Sequence, residues 1–163
     1  RNDEDTGLRE ETEMKPGRLD QPEIHIAVFG FLTAFVWEMW QMPFYAMSGE
    51  STFAITRMCT LTSVGDAVLM VGAYLAASLF ARSRFWLRRT RLRDVILFLL
   101  VGLAMTIVIE KLATRSIWGW QYSDRMPLIG GTGVAVIPVL MWIIIPLIAL
   151  WFARRQPLFL PRE

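Results

Sequence analysis

Four stretches of about twenty residues, each nearly free of charge, decide what this chain can become: roughly 24–47, 58–81, 94–113 and 132–153. An α-helix rises about 1.5 Å per residue, so each stretch can cross a hydrocarbon core about 30 Å thick. Strands of a membrane barrel would alternate in polarity over about ten residues, and these runs do not. In a chain of 163 residues that is 54% hydrophobic, the economical reading is one all-α domain: an integral membrane four-helix bundle spanning 24–153. The domain is flanked by tails at 1–23 and 154–163.

The basic residues predict an orientation. With four spans, the N-terminal tail, the loop at 82–93 and the C-terminal tail share one side of the membrane. Of the 17 Lys and Arg residues, only Arg57, Lys111, Arg115 and Arg125 fall on the other side. This bias predicts cytoplasmic termini and a multi-pass protein of a bacterial inner membrane. Residues 1–23 mix many acids with a few bases and almost no large apolar side chains, so they read as a flexible polar tail. The first apolar run is too long for a signal peptide and lacks a small-residue cleavage site. In the central loop, Phe85, Trp86 and Leu87 stand among arginines, as in a segment lying at the headgroup level against anionic lipid. Membrane lipid is thus the expected partner of this loop, and nucleic acid is not.

Three carboxylates interrupt the apolar runs: Glu38, Asp66 and Glu110. Counted from the cytoplasmic side, Glu38 lies about 21 Å along the first span; Asp66 lies about 12 Å from the outer end of the second. Glu110 is about one turn from the outer end of the third. Three helices therefore bring an acid to overlapping depths. Glu38 shares a helix face with Gln41 and Tyr45, Asp66 with Cys59 and Thr62, and Glu110 with Thr106 and Thr114. A charged carboxylate facing lipid costs roughly 2.5–3.5 kcal/mol at mid-span, which predicts that the acids face inward. One reading of the cluster is structural: the acids dock helices and are satisfied by Lys111, Arg115 or Arg57. The functional readings are proton transfer through a shared proton, acid catalysis on an apolar substrate, and binding of a hard cation.

Other features give weaker leads. Met39, Met42, Met58 and Cys59 could together suit a soft metal such as cuprous ion, but methionine is an ordinary packing residue and no metal is assigned from the sequence. The lone Cys59 excludes an intrachain disulfide, and no cofactor motif is present. Trp118, Trp120 and Tyr122 read as an interfacial belt or as a lid over the acids, and the glycines at 130, 131 and 133 let the chain turn back. Pro43, Pro138 and Pro146 predict helix ends or kinks.

The succession from Glu110 through Trp118, Trp120, Tyr122, Met126-Pro127, the glycine run, Pro138 and Trp142 loosely resembles the membrane carotenoid cyclase and hydratase families. That resemblance covers about 35 residues and implies acid chemistry on a polyene inside the bilayer. The acids that follow proline in the cyclase pattern are replaced here by Leu128 and Val139. As a whole the chain resembles small bacterial four-helix inner-membrane proteins. Two functional expectations follow. The first is an accessory or assembly subunit of a larger, energy-transducing membrane complex, with other integral membrane subunits as partners. The alternative is a membrane-embedded enzyme acting on a lipid or isoprenoid, or a proton or metal-ion handling protein, in each case using Glu38, Asp66 and Glu110 with Gln41, Tyr45, Thr62, Trp118, Trp120 and Tyr122 around them.

Overall fold

The structure, a computed structural model, describes residues 21–47, 49–112 and 121–156. Four helices run through it: α1 (Pro22–Gln41), α2 (Thr52–Ala81), α3 (Leu92–Leu112) and α4 (Val136–Arg154). All four are long and apolar enough to cross a membrane. Helix α1 packs mainly on α2 and α4, and α3 on the same two, so the four close into a bundle. The polar tails expected at each end lie largely outside the described residues.

The helix ends differ from the sequence expectation for identifiable reasons. Pro43 has no N–H to continue the helical ladder, so α1 stops at Gln41 and passes into a 3-10 turn over Met42–Phe44. At the start of α1, Pro22 occupies the first turn, where its missing N–H has no intrahelical partner to lose, and Glu23 belongs to the helix rather than to a tail. Helix α2 begins six residues earlier than the apolar pattern suggests, because Ser51 caps it by accepting the Ala54 N–H at 3.2 Å. Helix α4 begins later, at Val136. Residues 128–135 fold instead into a short antiparallel hairpin, β1 (Leu128–Ile129) against β2 (Val134–Ala135), whose turn uses positive φ at Gly131 and Gly133.

The central loop is also placed differently. Its 3-10 turn at Trp86–Arg89 leaves Arg88 and Arg89 exposed but drives Trp86 and Leu87 into the core, so these two do not lie on the surface. Trp86 stacks on Tyr74 at 5.2 Å between ring centroids and meets Phe98 at 6.4 Å. The Tyr74 hydroxyl donates to the Arg84 carbonyl at 2.5 Å, pinning the loop to α2. Arg84 in turn pairs with Glu23 at 2.9 Å. Tyr74→Phe keeps the stack and loses only the hydrogen bond. It is expected to cost about 1 kcal/mol, read as a lower unfolding midpoint in detergent.

Outside this core, the outward faces carry large apolar side chains, among them Val36, Leu61, Leu79, Leu100 and Trp151. Buried polar groups lie within: Glu38, Gln41, Ser63, Asp66, Thr106 and Glu110. This inverts the usual plan of a water-exposed helical bundle.

Candidate functional site

Helix geometry alone turns the three acids inward. Glu38 is 4% exposed, Asp66 8% and Glu110 7%, although they sit on three different helices. All three line one cavity of about 640 Å³. Gln41, Tyr45 and Thr62 line it too, with Thr106 of α3 and Pro138, Met141 and Trp142 of α4. A volume of several hundred Å³ is typical of small-molecule sites.

Each acid has a distinct setting. Glu110 accepts the Tyr122 hydroxyl at 2.6 Å and the Tyr45 hydroxyl at 3.4 Å on the same oxygen. The two phenols are brought there by a backbone clasp, in which Ala46 N–H donates to the Gln121 carbonyl at 2.9 Å and Ser123 N–H to the Phe44 carbonyl at 3.0 Å. The 3-10 turn forced by Pro43 leads the chain into this clasp. Glu38 is served by the side chain of Gln41, whose oxygen accepts the Trp37 indole N–H at 2.9 Å. Asp66 faces Trp142 of α4 in the cavity wall, while its oxygen Oδ2 is buried with no partner among the described residues. Thr106 Oγ1, on a side chain 8% exposed, is buried and unpartnered in the same way. Burial of a polar atom without a hydrogen bond costs about 1–3 kcal/mol, so the same cavity wall carries two such costs.

Tyr122 lies outside the four spans. Burial first, then its hydrogen bond to Glu110 and the charge of that carboxylate, push its phenol above the usual tyrosine range. The folded protein thus holds this proton more tightly than the unfolded chain does. The associated stability is intact below the ordinary tyrosine pKa near 10 and is lost as pH rises beyond it. In Tyr122→Phe this alkaline loss is expected to shrink, as measured by unfolding midpoints at neutral and at alkaline pH.

A second cavity, of about 540 Å³, adjoins the first and shares Glu38, Tyr45, Met58, Leu61 and Thr62 with it. Its remaining wall includes the exposed Glu50, Arg57 and Gln121, so it is the polar side of the site.

Not every residue singled out in the sequence arrives here. Trp118 and Trp120 lie outside the described residues. Of the sulfur set, Met42 and Met58 line the second cavity together and Met58 also lines the first, whereas Met39 is exposed and Cys59 is fully buried and lines neither. Thr62 gives its hydroxyl proton to the Met58 carbonyl at 3.0 Å, leaving an acceptor toward the cavity. Among the described residues no group of three or more His, Cys, Asp or Glu side chains is arranged to hold a metal ion. The acids share a cavity without closing into a cage.

Residue chemistry alone did not mark the α4 wall as part of the site; Pro138 and Trp142 entered only through the family resemblance, and Met141 not at all. Pro138, Met141 and Trp142 belong to the most uniformly apolar span and carry no charge to mark them. The one signal was Trp142 itself, a tryptophan deep within its span and away from the interfacial belts where that residue concentrates. Compared with protein families, with curated proteins and with solved structures, the chain matches none.

Proposed function

We propose that this chain is a multi-pass protein of a bacterial inner membrane that performs acid–base chemistry on an isoprenoid or other unsaturated lipid. The observation that carries the reading is the convergence of three carboxylates from three helices on one largely apolar cavity, with an Asp66 oxygen left without a partner among the described residues. Membrane integration is supported by the four long apolar helices with apolar exteriors and polar interiors. The distribution of basic residues supports cytoplasmic termini.

The chemistry needs no redox partner. Protonated Asp66 gives its proton to one carbon of a C=C bond, and positive charge develops on the other. Glu38, as the carboxylate, takes a proton from the carbon next to that centre, and the double bond moves by one position. Atoms and electrons balance, since one proton enters and one leaves. Glu110, held by the hydroxyls of Tyr45 and Tyr122, lends negative charge to the cationic stage. Transfer of the captured proton from Glu38 to Asp66 would restore both groups, and the second cavity would let that proton exchange with the aqueous side at Glu38, which both cavities share.

A subunit of a larger complex is the rival reading. Inward acids fit a subunit whose carboxylates only dock its own helices as well as they fit a lipid site, and what favours the lipid site is the largely apolar cavity on which they converge.

The test uses proteoliposomes of bacterial lipid in D2O, followed by mass spectrometry of the lipids. Wild-type protein is expected to introduce carbon-bound deuterium into one lipid class, and Asp66→Asn to slow this by about 100-fold or more. Absence of deuterium uptake by any lipid with the wild-type protein, together with a second membrane polypeptide co-eluting at fixed ratio, would return the protein to the subunit reading.

A further inference from the structure

We infer that the acidic cavity takes a bilayer-borne molecule that is, or becomes, cationic at the end meeting Asp66, and that this molecule passes sideways from the lipid between α2 and α3 across Gly65. The inference rests on the lipid-site reading above and adds the charge of the ligand and its route.

The route is read from two glycines of α2. Gly65 and Gly72 are seven residues apart and share one face of α2. At Gly72 a β-carbon would meet Met105 Cε of α3 at 4.0 Å, so the helices touch there. Two turns earlier, at Gly65, a β-carbon would find nothing within 4 Å. Gly65 is exposed on the outside of the bundle and lines the cavity together with Thr106 and Ile109 of α3, so the open space at this level is the mouth of the cavity. Its rim on α2 is Leu61, Gly65 and Val68, all exposed on the outside of the bundle and all lining the cavity. A side chain at Gly65 would stand in the opening. Water-soluble ligands would use the second cavity, where Glu50, Arg57 and Gln121 stand.

Charge defines the occupant. Three carboxylates line the cavity, and among the described residues no Lys, Arg or His does. Two buried polar atoms there, Asp66 Oδ2 and Thr106 Oγ1, have no partner among the described residues and belong to side chains that line the space a ligand would fill. An acceptor-rich site in a low-dielectric surround discriminates for positive charge far more strongly than it would in water. The rest of the wall, Met58, Leu69, Ile109 and Met141 among it, is apolar and suits a hydrocarbon chain. The complementary molecule is an apolar chain ending in a cation, which is also the shape of a carbocation stage on an isoprenoid.

N,N-dimethyldodecylamine is a direct probe, with dodecan-1-ol as its neutral counterpart. Full-length protein in nanodiscs is expected to retain one amine per chain by native mass spectrometry and to bind the alcohol about tenfold or more weakly. Asp66→Asn should reduce the preference several-fold, and Asp66→Asn combined with Glu38→Gln should abolish it. Gly65→Trp should lose the amine, and Gly65→Ala, which has room for its methyl group, should keep it; melting midpoints confirm that both fold. Equal binding of amine and alcohol would overturn the charge assignment, and undiminished amine binding in Gly65→Trp would overturn the route. The D2O experiment separates this inference from the reading beneath it. Amine binding without deuterium exchange removes the acid–base reaction and leaves a cation pocket, whereas exchange that the amine neither inhibits nor accompanies by binding removes the inference alone.

Discussion

Trp142→Ala is expected to lower the stability of the bundle by about 3–5 kcal/mol and to collapse or enlarge the acidic cavity. The indole is 1% exposed, lies in the main apolar core and lines the cavity at the same time. Its removal deletes the packing surface between α4 and α3 and the indole that shares the cavity wall with Asp66. In a bilayer, packing rather than water exclusion holds helices together, so a lost contact surface of this size has no compensating gain. Unfolding by SDS titration from mild micelles measures the loss. Trp142→Phe restores part of the packing but not the whole indole, so comparing the two separates the contributions. A cost below about 1 kcal/mol for the alanine variant would show that α3 and α4 are held by other contacts.

The second large effect is a single methyl group at Gly102. A β-carbon there would lie 2.6 Å from Trp142 Cε3 and closer still to Cζ3, well inside contact distance. The obstacle is a rigid ring already enclosed by its neighbours, so it cannot swing aside as a flexible side chain would. Gly102→Ala is expected to cost about 1–3 kcal/mol, the range for overpacking a filled core. The identical substitution at Gly65 meets open space and removes the helix penalty of glycine, so it should be neutral or stabilising by up to about 1 kcal/mol. Opposite signs for the same chemical change, read in one SDS titration series, would isolate the steric cause. Destabilisation of both by the same amount would refute a tight α3–α4 contact at Gly102.

Much of the site is legible in the amino-acid sequence. Glu38, Asp66 and Glu110 stand out because charge in an apolar run is costly, and counting helical rises puts them at overlapping depths. Helical spacing likewise places Gln41 with Glu38, whereas Tyr45, expected on the same helix face, lies beyond the end of α1 in extended backbone and reaches the cavity through the clasp instead. Tyr122 is conspicuous for its aromatic company, but its bond to Glu110 depends on the clasp between residues 44–46 and 121–123, a pairing across distant sequence that no local pattern announces. Of the sulfur residues, Met42 and Met58 share a cavity wall, which their separation in sequence does not announce, while Cys59 beside Met58 points into the packed interior.

Local patterns therefore determined the elements: four helices, because hydrophobic length and the absence of alternation leave little else, and inward acids, because an ionised carboxylate is expensive in lipid. Tertiary structure alone decided the rest. Whether Trp86 rests on the surface or in the core, where the cavity opens beside Gly65, and which wall Trp142 completes all depend on contacts between residues far apart in the chain. Those contacts are set by how helices of particular side-chain volumes fit against one another, and volume complementarity is a property of pairs of surfaces rather than of any one segment.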